Sequence, residues 1–200
     1  GTLYGSSNIN ISGSPTINGS IYGGGRGHNL ASNKPNLAQM EGSSTINITG
    51  TPKITGNIYG AGMGLSQYEN MAKFTGTVNV NIGADLSTNV FGGGNIAKTV
   101  GTTNININSG THTADIYGGG NVGILEGTSN VTINGGNSSD VYGGGKSADV
   151  TNSNVYIKDG ETTNVYGGGN QAGSQSTYIE ITGGTTTAVY GGSNQSGTVN

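Results

Sequence analysis

The chain has 200 residues and a formal net charge of −3; 41 of its residues are glycine, only 8% are charged and 30% are hydrophobic. Its seven Lys and Arg residues are dispersed and supply no basic groove for a nucleic acid. The lack of cysteine excludes disulfides and cysteine-ligated zinc, and no window is apolar enough for a transmembrane helix.

In chain order, Leu3-Tyr4-Gly5-Ser6 reads as a weak copy of an apolar–aromatic–Gly–Gly motif, and Ile9-Asn10-Ile11 follows with the alternation of a strand buried on one face. Ile21-Tyr22-Gly23-Gly24 is the first full motif. An insertion at about 26–42 comes next, with His28, Lys34, Pro35, Met40 and Glu41. The pattern resumes with Ile46-Asn47-Ile48 and a weaker Ile58-Tyr59-Gly60-Ala61, and a second insertion at about 61–73 holds Met63, Tyr68, Glu69, Met71 and Lys73. Regular copies then run to the end. The strands are Val80-Asn81-Ile82, Ile105-Asn106-Ile107, Val131-Thr132-Ile133, Val155-Tyr156-Ile157 and Ile179-Glu180-Ile181, and the motifs are centred on Phe91, Tyr117, Tyr142, Tyr166 and Tyr190.

The last aromatic spacings are 26, 25, 24 and 24 residues. About 24 residues make one turn of a β-solenoid and too little for a four-stranded propeller blade. One coil cannot bury its few apolar residues alone, but stacked coils align them into a continuous core. Disorder is a poor alternative: disordered chains are usually charged or proline-rich, and this one keeps Ile, Val and Tyr at fixed offsets. The expected fold is all-β: one right-handed parallel β-helix domain over 1–200, of about eight coils, with two loop insertions. Inward columns are expected at Val141, Val165, Val189 and at Ile133, Ile157, Ile181. Both ends of the chain fall inside repeats, so a segment of a larger protein is expected.

Signals for chemistry are sparse. His28 and His112 lie in different repeats, and no nucleophile elbow, zinc-type HExxH or P-loop is present. Asp115 and Asp140 share a column in adjacent coils and are weak candidates for Ca²⁺, which needs several oxygen ligands. The same column also holds Asn57, Asn89 and Asn164, which suits turn-forming residues. Tyr22, Tyr59, Phe91, Tyr117, Tyr142, Tyr166 and Tyr190 should stack coil over coil. If the Ile or Val before each points inward, the ring points outward, and the row is either a structural ladder or a platform for sugar rings. Asn10, Asn47, Asn81 and Asn106 form an outward column suggestive of ice binding, but it degrades to Thr132, Tyr156 and Glu180, with Lys158 alongside. The two insertions leave equivalent corners of neighbouring coils and should lie side by side.

The string Val165-Tyr166-Gly167-Gly168-Gly169-Asn170, followed by a short arm, an alternating Val/Ile strand and a Gly-Gly pair, resembles the glycine- and asparagine-rich repeat regions of very large adhesin-like surface proteins of bacteria. The resemblance covers essentially the whole chain. It implies secretion, cell-surface display and no catalytic residues. The insertions depart from its regular spacing. The resulting expectation is a non-catalytic extracellular stalk or adhesin module with no cofactor. Its partners would be host or cell-surface glycans or proteins, with end-to-end self-association and no nucleic acid or membrane insertion. A carbohydrate-binding solenoid using the tyrosine ladder is the alternative, followed by a relative of polysaccharide-degrading enzymes or an ice-binding solenoid.

Overall fold

The computed structural model describes residues 1–29, 35–66 and 70–199, and the regular elements among these residues are all strands. Each coil contributes one long strand: Thr2–Ile11, Gln39–Thr49, Phe74–Gly83, Thr99–Ser109, Leu125–Ile133, Val150–Ile157 and Ser174–Ile181. These stack in that order as a seven-stranded parallel sheet. Each long strand pairs with the next in sequence, which brings Ile11, Ile48, Ile82, Ile107, Ile133, Ile157 and Ile181 into one column. After a turn, a second flank follows. It consists of two-residue strands such as Thr111–His112 and Ile116–Tyr117, which merge in the last coils into Glu161–Tyr166 and Thr185–Tyr190. A Gly-rich return then leads to the next long strand. The fold is a parallel β-solenoid.

Among the described residues the long sheet has seven strands, one fewer than the eight aromatic motifs. Tyr4 is the cause of the difference. Leu3-Tyr4-Gly5-Ser6 pairs residue for residue with Met40-Glu41-Gly42-Ser43 inside the long sheet, and Tyr4 does not join the aromatic column. Gly5 heads a different column, continued by Gly42, Gly76, Gly101 and Gly127 within the long strands.

The core lies between the long sheet and the short strands. Val141, Val165, Ile133 and Ile157 are fully buried, as the alternation requires, while Val189 and Ile181 in the last coil are 48% and 42% exposed. A third inward position, two residues before the first core apolar residue of the long strand, is a hydroxyl except in Phe74–Gly83, where it is Val78. Ser44, Thr103, Ser129 and Ser153 are buried there and donate to the carbonyls of Gly60, Gly118, Gly143 and Gly167, at 2.5–2.9 Å. Each bond ties the long strand to the first glycine after the aromatic of its own coil. That glycine leaves no room for a side chain: a Cβ on Gly23 would stand 2.0 Å from the Ser44 hydroxyl.

The first insertion ends earlier than the expected 26–42, because Met40, Glu41 and Gly42 belong to the strand Gln39–Thr49. In regular coils two residues separate the last glycine of the return from a small residue, as in Gly94 to Ala97 and Gly169 to Ala172. In the first two coils the same interval runs from Gly25 to Ala38 and from Gly62 to Ala72. The insertions touch each other: Gly27 donates its amide to the Met63 carbonyl at 2.9 Å, and buried Met71 fills the space where a Gly27 side chain would be. Lys34, Tyr68 and Glu69 lie outside the described residues.

Candidate functional site

The aromatic column is continuous. Tyr22, Tyr59, Phe91, Tyr117, Tyr142, Tyr166 and Tyr190 stack with centroids 4.7–5.0 Å apart and planes within 6–11° of parallel. The parallel ladder forces this, because paired short strands put Tyr59, Phe91, Tyr117 and Tyr142 at one register position. Of the two readings of this row, the open platform is not what the inner rings form. Tyr59, Phe91, Tyr117, Tyr142 and Tyr166 are only 1–7% exposed and form a second apolar cluster separate from the main core. Each inner ring has both faces occupied by its neighbours, and polar columns close the edges. A sugar cannot stack on these residues. Tyr22 is partly covered, and Tyr190, in the last coil, is 48% exposed.

The polar columns satisfy the phenols. Tyr117 donates to Asp115 Oδ2 at 3.0 Å and Tyr142 to Asp140 Oδ2 at 3.4 Å, while Asn57 and Asn194 donate to the hydroxyls of Tyr59 and Tyr142, each at 3.2 Å. Burial, and after it the adjacent Asp115 or Asp140 charge, pushes the Tyr117 and Tyr142 phenols well above their ordinary range. These tyrosines stay neutral donors at any physiological pH.

Asp115 and Asp140 do sit in adjacent layers, yet their other oxygens are engaged as well. Ser139 approaches Asp115 Oδ1 at 3.5 Å, and Asn164 donates to Asp140 Oδ1 at 2.8 Å. Among the described residues no group of three or more His, Asp or Glu side chains is placed to hold a metal ion. The pair acts as an acceptor rail for the aromatic column.

His28 is exposed, in a two-stranded antiparallel pair within the first insertion. His112 is buried, in an inward column that changes from Leu86 through His112 and Ser138 to Thr162. Its Nε2–H donates to the Ser109 carbonyl at 3.2 Å, while Nδ1 and the Ser138 hydroxyl are buried without protein partners. Burial holds the imidazole below its ordinary range, against the opposing pull of the Ser109 carbonyl and the Asp85 charge. The unfolded chain therefore binds this proton more readily, its histidine titrating near 6.5. Stability is expected to be intact above about pH 6.5 and to fall as the pH drops below it. His112→Leu should flatten this acid-side loss in urea midpoints measured from pH 7.5 to 5. An unchanged slope would remove His112 as its cause.

The outward face of the long sheet carries two amide ladders. In one, Asn47, Asn81 and Asn106 each donate Nδ2 to the Oδ1 of the preceding layer, at 2.7–2.9 Å. In the other, Asn104, Asn130 and Asn154 do the same from Asn79 onward, at 2.9–3.0 Å. The sequence reading found the first ladder and missed the second, although Asn recurs one residue before the first core apolar residue of the long strand. Where the ladders end, Tyr156, Tyr178 and Glu180 take over the face.

No family model, curated protein or solved structure matches the chain.

Proposed function

We propose that this chain is a non-catalytic repeat segment that works outside the cell, as a stalk or adhesive module of a larger surface protein. The observation that carries this reading is the continuity of contacts from layer to layer. Backbone bonds along the seven-stranded sheet, the ring stack and the amide ladders all cross the same interfaces. Load along the stack is shared by many contacts in parallel, and length grows by about 4.8 Å per coil. Stiffness and adjustable length are what a spacer needs. Among the described residues no helix is long and apolar enough to cross a membrane. The outermost coils leave Leu3, Val189 and Tyr190 exposed, and on this reading a further coil, of the same chain or of another copy, would continue the ladder there.

Deleting residues 92–117 joins Phe91 to Gly118 in register and removes one coil. The shortened chain is expected to fold with its strand content intact, and small-angle scattering should find it about 4.8 Å shorter. An antibody against the segment should label intact cells that make the whole protein. Labelling only after permeabilisation would overturn the extracellular reading, and failure of the shortened chain to fold would overturn the modular one.

A further inference from the structure

The middle layers of the long sheet present an uninterrupted polar array on their outward face. It spans the four strands from Gln39–Thr49 to Leu125–Ile133, and each of these has a further layer on both sides. One outward column is Ser43, Thr77, Thr102 and Thr128. The second is Thr45, Asn79, Asn104 and Asn130, and the third is Asn47, Asn81, Asn106 and Thr132. Every side chain in the array carries a hydroxyl or an amide, and none is ionisable. The charged residues of these strands, Glu41 and Glu126, are confined to one separate outward column. Because the array points sideways from the stack, coils added at either end would leave it open.

The spacing of the array is fixed. Its positions pair from layer to layer without a register shift. In the same coils the stacked rings of the other flank differ in plane by only 8–9° per layer, so the layers turn little against one another. Adjacent strands of an ordinary sheet are turned by about 20–25°, and this face is flat by comparison. The bonds of Asn81 to Asn47, Asn106 to Asn81, Asn104 to Asn79 and Asn130 to Asn104, at 2.8–3.0 Å, hold the amides in place. An amide has two N–H donors and two acceptor sites, so one inside a ladder keeps one of each for an outside partner.

This chemistry restricts the ligand. The array offers no charge to an ionic partner and no ring to a sugar. A hydrogen bond to a dissolved, flexible ligand replaces one to water with little net gain, and the ligand must also be ordered. A neutral solid whose molecules already sit on a lattice of donors and acceptors carries no such ordering cost. In ice, tetrahedral hydrogen bonding at about 2.75 Å between oxygens sets second neighbours about 4.5 Å apart. The layers of the solenoid repeat at about 4.8 Å. Over three intervals the two repeats drift apart by about 0.9 Å, so no layer is more than about 0.45 Å out of step with a centred lattice. That offset is within the spread of hydrogen-bond lengths, about 2.5–3.0 Å.

We propose that this array, centred on Thr77, Thr102, Asn79, Asn104, Asn81 and Asn106, is a binding face for ice. The free amide N–H and oxygen of each ladder residue and the threonine hydroxyls bond to successive rows of lattice oxygens. Binding is a property of the folded segment itself and does not depend on the surface-module reading.

The test grows ice crystals in dilute buffer with the intact 200-residue chain and follows their shape and their recrystallisation. The chain should facet the crystals and slow their coarsening. Thr102→Lys, which raises a long charged side chain from the centre of the array, should abolish both effects. Thr113→Lys adds the same charge at an exposed position on the other flank of the same coil and should leave both intact. Circular dichroism checks that both variants remain folded. No effect of the unaltered chain on ice, or full activity in Thr102→Lys, overturns the site. Retention on crystalline cellulose without any effect on ice also overturns it and would assign the face to a polysaccharide lattice. None of these results touches the cell-labelling and coil-deletion experiments, so the face can fail while the surface-module reading stands.

Discussion

Ile157→Asp is expected to lower the stability of the chain by several kcal/mol, and Asn154→Asp by only about 1 kcal/mol. The two residues are on one strand and three positions apart, so they point to opposite faces. Ile157 has no exposed surface and lies in register between Ile133 and Ile181. A carboxylate there has apolar neighbours above and below and no donor in reach. It must either stay charged in a dry site or take up a proton at a cost, and both routes destabilise the fold. Asn154 faces outward, half-buried, and donates Nδ2 to Asn130 Oδ1 at 2.9 Å. Aspartate cannot donate there, so one ladder bond is lost and two oxygens face each other, but water reaches both. Urea midpoints of the two variants measure the contrast. Equal midpoints, or a larger loss for Asn154→Asp, would mean that the strand faces are exchanged, since a one-residue slip inverts every side chain.

Such a loss has a spatial signature in a solenoid. Each coil contacts only its neighbours, so a defect at Ile157 weakens the interfaces on either side of Val150–Ile157 more than distant ones. Hydrogen exchange should therefore rise first in Leu125–Ile133 and Ser174–Ile181 and last in Gln39–Thr49.

The parts of the fold legible from sequence were those set by local period. Alternation at Val155-Tyr156-Ile157 identified the inward pair, and the 24-residue spacing of Tyr142, Tyr166 and Tyr190 identified the layer. Exposure of the aromatic column was not legible. Alternation does set Tyr142 on the face opposite Val141, but facing away from one core is not the same as facing water. The neighbouring rings and Asn194, 52 residues further along the chain, enclose it. That enclosure depends on long-range register, which no local pattern encodes. The same limit explains Tyr4: its local string matches the aromatic motif, and only pairing with Glu41 assigns it to the long sheet. Tyr156 and Glu180 were visible from the start as breaks in a polar array. Only the long-range register sets Tyr178 beside them.

Gly101→Ala is expected to destabilise the chain by several kcal/mol, more than Gly5→Ala does, although both remove a glycine from the same column. The backbone φ is +126° at Gly101 and +137° at Gly5, a region that L side chains adopt only with strain of about 1–3 kcal/mol. Both variants carry that strain. They differ in what the new methyl meets. A Cβ at Gly101 would stand 2.1 Å from the carbonyl oxygen of Gly76, whereas at Gly5 it would have nothing within 4 Å. The clash is with backbone, which no rotamer change relieves, and the layers cannot separate without breaking the pairing of Thr99–Ser109 with Phe74–Gly83. The same approach recurs at Gly42, Gly76 and Gly127, where the added carbon would lie 1.8–1.9 Å from the preceding layer's carbonyl. Glycine is thus required there by the close approach of successive layers as well as by its conformation. The difference between the Gly101→Ala and Gly5→Ala urea midpoints isolates the layer contact from the backbone strain. Equal midpoint shifts would show that strain alone sets the requirement and that the layers can move apart locally to admit a methyl group.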